Sequence, residues 1–197
     1  ANQYPESISI LYARGAFFSR VAKLTKSPTA IMQQAFSQLD KALAIRADFI
    51  PAIELKTQLY YQARQDDKAE AMLRELHSDY PRSQPISQLL GQLLYDLKKY
   101  DLAKQHFGRW LKRNKNDEEA RFYLAAAYFA TGDYHLSLAQ YQKLLGSEYK
   151  PQMVYFFCGN AASQTKQYAQ AIACYDLVTD GPNLTRAKVE LAKLYAL

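Results

Sequence analysis

One pattern recurs every 34 residues along this chain, and it limits the fold more than any other feature. Tyr100, Ala103 and Phe107 return as Tyr134, Ser137 and Tyr141, and again as Tyr168, Ala171 and Tyr175. One step back the copy weakens to Asp66, Ala69 and Leu73, and a further step leaves Ala35 and Leu39. A fixed period in this range, without insertions, marks stacked supersecondary units. Each unit buries its apolar face only against its neighbours.

The type of unit follows from composition and periodicity. Seven Gly and seven Pro among 197 residues leave few helix interruptions, and Ala, Leu, Gln and Lys favour helix. No run of alternating Val or Ile with polar residues signals a strand. Apolar residues at helical spacing predict helix pairs. The first pair runs from Ser7 to about Thr25 and from Ala30 to about Ile45, separated by Ser27-Pro28-Thr29. The next are Pro51–Ala63 with Asp66–Ser78, and Pro85–Leu97 with Tyr100–Arg113. Glu118–Thr131 pairs with Tyr134–Leu145, and Gln152–Thr165 with Tyr168–Val178. A last helix, Leu184–Leu197, has no partner. Ser83, Asp117 and Asn183 are expected N-caps, because their side-chain oxygens can accept a first-turn amide. Gly132-Asp133 makes a tight turn. Short connections make consecutive helices antiparallel neighbours.

These positions resemble the tetratricopeptide repeat, a unit of two antiparallel helices, A and B. The small position of helix A holds Thr57, Gly91, Ala125 and Gly159, preceded by Lys56, Leu90, Leu124 and Cys158. Three residues beyond it stand Tyr60, Leu94, Tyr128 and Ala162. Helix B supplies Ala69, Ala103, Ser137 and Ala171, then Leu73, Phe107, Tyr141 and Tyr175. A small residue where A crosses B lets the backbones approach, and the aromatic fills the space alongside. Departures are Lys56 at an apolar site, Trp110 at a small one, and Lys115, Tyr149 and Asn183 where Pro would follow. The resemblance implies an all-α, right-handed superhelical solenoid of about five helix pairs plus one unpaired C-terminal helix. The expected domain organisation is a single array over residues 1–197, with repeats at about 6–47, 50–83, 84–117, 118–151 and 152–183.

The resemblance also implies a concave groove lined by the A helices. Its expected lining is Glu54, Gln58 and Tyr61, then Gln88, Gln92 and Tyr95, then Phe122, Ala126 and Phe129, then Phe156, Asn160 and Ser163. Amides both donate to and accept from a peptide backbone, and rings add contact area with little lost freedom. The basic cluster that would clamp a terminal carboxylate is missing from these places, so a less acidic, apolar-containing peptide or partner helix is expected. The final helix leaves Leu191, Leu194 and Tyr195 without a following helix, which points to fraying or self-association.

A second surface gathers Lys98, Lys99, Lys104, Arg109, Lys112, Arg113 and Lys115 around one B helix, near Trp110. With a formal net charge of +6, it could meet nucleic acid or an acidic partner. A solvated helix face is the simpler reading, and no nucleic-acid motif is present.

Little else carries chemistry. His77, His106 and His135 lie far apart in sequence, and no phosphate loop or nucleophile elbow is present, so no enzyme, metal or cofactor is expected. Cys158 and Cys174 read first as small buried hydrophobes, with a disulfide as the alternative. No run of about 18 apolar residues exists to span a membrane. The start at Ala1 and the end in mid-pattern suggest a piece of a longer chain. The functional expectation is a protein-binding scaffold, such as an adaptor in a bacterial envelope, pilus or secretion assembly. The alternatives are the basic-face binder and the regulatory arm of a larger protein.

Overall fold

The computed structural model describes residues 7–25 and 28–196. Among them are eleven helices and no strand. They are α1 (Ile8–Leu24), α2 (Thr29–Ile45), α3 (Ile50–Gln62), α4 (Asp66–Asp79), α5 (Gln84–Asp96), α6 (Tyr100–Arg113), α7 (Glu118–Ala130), α8 (Tyr134–Gln142), α9 (Pro151–Gln164), α10 (Tyr168–Asp176) and α11 (Leu184–Tyr195). The fold is an all-α helical-repeat solenoid, with an odd helix after five pairs. Two B helices stop earlier than their periodicity predicts, α8 at Gln142 rather than Leu145 and α10 at Asp176 rather than Val178. The last helix ends at Tyr195 rather than at Leu197, and Ser27 of the expected break lies outside the described residues.

The chain forms two compact units, residues 1–90 and 91–197. In the first, Leu11 of α1, Ala35, Leu39 and Ala42 of α2, and Ala52 and Leu59 of α3 make one buried cluster. In the second, the core runs through α7–α11 and includes Leu138, Tyr141, Val154, Cys158, Ala171 and Tyr175. Each large apolar side chain fully removed from water contributes about 1.5–3 kcal/mol, so these clusters rather than helix propensity hold the pairs together. Leu191 and Leu194 of α11 pack against the second core, while Tyr195 and Val189 stay exposed.

The turn between helices A and B has one geometry in four repeats. Arg64, Lys98, Gly132 and Lys166, spaced 34 apart, all have positive φ, at 56°, 58°, 81° and 59°. The next amide donates five residues back each time: Gln65 to Tyr60, Lys99 to Leu94, Asp133 to Tyr128 and Gln167 to Ala162, all at 2.9 Å. The left-handed residue itself donates to Tyr61, Tyr95, Phe129 or Ser163, at 2.9–3.1 Å. This is the Schellman motif, which satisfies the last carbonyls of helix A. Only Gly132 adopts that conformation freely; the three basic residues hold it against steric cost.

Two departures from the repeat pattern, Lys56 and Trp110, have compensating contacts, and so do the polar residues at small positions. Lys56 reaches Asp40 at 2.6 Å and lies over the Tyr60 ring. Thr57, at a small position, donates its hydroxyl to the Ile53 carbonyl at 2.8 Å. Ser137 donates to the buried Ala125 carbonyl at 2.9 Å. Trp110 donates its indole N–H to Asp117 Oδ2 at 2.7 Å, and Asp117 Oδ1 accepts the Ala120 amide at 2.9 Å. Asp117 therefore caps α7 as expected. Asn183 does not cap α11 with its side chain: its backbone is already helical, at φ −95° and ψ −4°. Cys158 and Cys174 are not separate thiols but form a disulfide joining α9 to α10, with Cα atoms 5.9 Å apart.

Candidate functional site

The expected groove positions differ in exposure. On α3, Glu54, Gln58 and Tyr61 follow one another at helical spacing and all are exposed, Tyr61 to 50%. In the same unit, Gln88 of α5 is half-buried. In the second unit, Gln92 and Tyr95 are half-buried, and Tyr95 meets Tyr100 and Tyr123 with ring centres 5.4 and 5.7 Å apart. Phe129 is half-buried against Tyr134 at 5.1 Å. Asn160 is half-buried, and its Oδ1 accepts the Tyr175 hydroxyl at 2.7 Å.

Phe122 and Phe156 depart from the expected lining. Both are buried, at 5% and 2% exposure, and belong to the core of the second unit. For Phe122 the cause is the connection between α8 and α9. Tyr149 packs on the Phe122 ring at 5.8 Å, and Phe157 of α9 approaches it at 6.0 Å. For Phe156, Tyr175 and Arg186 lie alongside the ring, at 6.0 and 5.1 Å.

This connection creates a feature with no motif in the sequence. The Lys150 ammonium lies 4.9 Å from the Tyr149 ring centre, 5.6 Å from Phe122 and 5.8 Å from Tyr123. Phe122 is inclined by 90° to Tyr123 and by 63° to Tyr149. Three differently oriented rings thus surround one cation, each within the roughly 6 Å at which a ring quadrupole attracts charge. Burial and nearby carboxylates act on the hydroxyls of these tyrosines. Burial, then Asp96 and Glu119, push the Tyr123 hydroxyl up to about 12. Burial, with Glu119 the largest charge, raises Tyr149 further. Tyr95 is raised by burial, then by Tyr100 and Asp96.

The basic surface is smaller than its sequence suggests. Lys104 bonds Asp101 at 2.9 Å, Asp133 at 3.0 Å and the Thr131 hydroxyl at 3.1 Å. It ties α6 to the α7–α8 turn and is no open phosphate ligand. Trp110 is buried, turned to Asp117, and offers no stacking face. Arg109, Lys112 and Arg113 remain exposed on the last turns of α6, where cations also suit the helix dipole. Among the described residues no helix is long and apolar enough to cross a membrane.

No protein-family model matches the sequence, and no curated protein matches it. Solved structures do. YrrB, described as a tetratricopeptide-repeat protein with an unusual peptide-binding site, is 18% identical with a TM-score of 0.65, over 93% of this chain and 91% of that one. A tetratricopeptide-repeat protein from Parabacteroides merdae is 23% identical with a TM-score of 0.67, over 94% of this chain and 72% of that one. MamA, in its RS-1 form, is 18% identical with a TM-score of 0.67, over 76% of this chain and 84% of that one. At this identity the likeness is one of fold.

Proposed function

We propose that this chain, whose fold is that of tetratricopeptide-repeat proteins, is a non-enzymatic scaffold that takes a peptide or a partner's helix along its A-helix face. The observation that carries the reading is the α3 stripe of Glu54, Gln58 and Tyr61. It leaves a large aromatic and an amide open beside a helix whose apolar residues Ala52, Ile53 and Leu59 are fully buried. Extended peptides are recognised by such a mixture of backbone-competent amides and ring area. In the first unit Gln88 belongs to the proposed lining too, and in the second unit Gln92, Tyr95, Phe129 and Asn160 hold the corresponding positions; Phe122 and Phe156 leave it. The unusual peptide-binding site of YrrB is consistent with this use of the fold. We take the five repeats as one array, because the 34-residue register passes residue 90 without gain or loss. An adaptor role in a bacterial envelope, pilus or secretion assembly is part of the same proposal.

The test compares capture from the native cell by the parent chain and by two double variants, Gln58→Ala with Tyr61→Ala and Gln92→Ala with Tyr95→Ala. Lost capture at unchanged melting temperature supports the reading. Capture that both variants retain in full removes it.

Exposure of Arg109, Lys112 and Arg113 keeps a second reading open, a basic surface for nucleic acid or an acidic partner. Binding should then fall steeply with salt and with Lys112→Glu. Salt-independent binding rejects it.

A further inference from the structure

Three rings on and beside α7 lie against one cation. Phe122 and Tyr123 come from α7, and Tyr149 from the connection that precedes α9. Their occupant, Lys150, is exposed, so its end of the cage is reached from solvent. Its backbone lies in the left-handed region, φ 44°, where a lysine is strained. Asp96, Asp117 and Glu119 lie close enough to act on the surrounding tyrosines. An ammonium over ring faces is attracted by their quadrupoles, and nearby carboxylates add a Coulombic attraction.

We propose that Phe122, Tyr123 and Tyr149 form a recognition site for the ammonium group of a partner protein's lysine, and that Lys150 is the chain's own occupant, displaced on binding. The inference rests on the chain being a protein-binding scaffold, and it names one chemistry of the partner at a place beside the proposed lining, which Phe122 leaves. Lys150 acts as a built-in competitor. It raises the lysine concentration needed to enter. Arg186 over Phe156 and Lys104 over Tyr128 each face one ring, so neither is enclosed in this way.

The experiment uses a small probe and does not depend on any captured partner. The full chain and its Lys150→Gly variant are titrated with Nα-acetyl-lysine methylamide, and the ring-proton NMR shifts of Tyr123 and Tyr149 are followed. Glycine accepts the left-handed backbone, so the substitution empties the cage without new strain. The expected result is a saturable shift whose midpoint is roughly fivefold lower in Lys150→Gly, the change that follows from losing one ring-bound competitor. The norleucine analogue, equal in shape but uncharged, should give no saturable shift. Adding Tyr123→Ala to Lys150→Gly should abolish the response. No saturable shift in a folded Lys150→Gly, or an equal response to norleucine, overturns the proposal. Lys150→Asn, which also tolerates positive φ, serves as the second variant. Unfolding of both would make Lys150 a structural clamp and likewise overturn it. Failure of the capture experiment with a positive titration would remove the groove and leave the cage.

Discussion

A Cβ built on Gly159 would lie 2.5 Å from both Cδ1 and Cε1 of Tyr175, and one on Gly91 would run into the Phe107 ring. Both rings are buried, so neither can swing away. The small position of helix A and the aromatic of helix B thus behave as one packed pair.

Gly159→Ala and Gly91→Ala should each destabilise the fold by about 1–3 kcal/mol, the usual cost of overpacking, despite alanine's better helix propensity. Gly108→Ala, which meets nothing within 4 Å, should instead stabilise by about 0.5–1 kcal/mol. Urea denaturation of the three variants checks the opposite signs.

The repeated turn makes a second prediction. Lys98→Gly and Lys166→Gly should stabilise by up to about 1 kcal/mol, because glycine carries no penalty at positive φ. Gly132→Ala should cost about 1 kcal/mol by the same argument. Thermal melts of these exposed variants would show it, and a loss in Lys98→Gly would mean its side chain matters more than its backbone.

Asp117 serves a cap and a buried indole at once. Asp117→Ala should cost about 2–4 kcal/mol, about 1 from the cap and the rest from an unsatisfied Trp110 N–H. Trp110→Phe combined with Asp117→Ala should cost less than the sum of the two single changes, which a double-mutant cycle measures.

The Lys104 link is pH-dependent. The hydrogen bond from Thr131, then that from Lys104, holds the Asp133 carboxyl below its ordinary 3.8, while the bond to Asp101, the largest influence, raises Lys104 above 10.5. A depressed acid stabilises above its ordinary value and loses that contribution as pH falls through the folded value. A raised base stabilises below its ordinary value and loses the contribution as pH rises through the folded one. The gap in melting temperature between parent and Asp133→Asn should therefore hold through neutrality and shrink toward acid. A gap that widens on acidification would reverse the assignment.

Helix starts and the repeat register were legible, because both depend on local periodicity and on residues such as Asp117 that act within one turn. The Gly91–Phe107 and Gly159–Tyr175 pairs were legible too, since the period carries them. Phe122 was not. Its burial depends on how the aperiodic stretch before Pro151 folds back, and nothing in residues 144–150 encodes that by spacing. Lys104 looked like part of a charge cluster on its own helix, but its partner Asp133 is 29 residues away. The disulfide was left open because two cysteines 16 apart carry no framework. The common turn was half seen: Gly132 marked it, while arginine and lysine at the equivalent places concealed it.

That turn has a consequence for how such chains can be rebuilt. Its bend is fixed by peptide groups alone, the same amide reaching the same carbonyl whichever side chain is present. The corner of each hairpin is therefore a standard joint. First and second helices drawn from different repeats of this chain can be spliced across it with the exit direction preserved, leaving only the fit of the small residue to its ring to decide whether the hybrid closes.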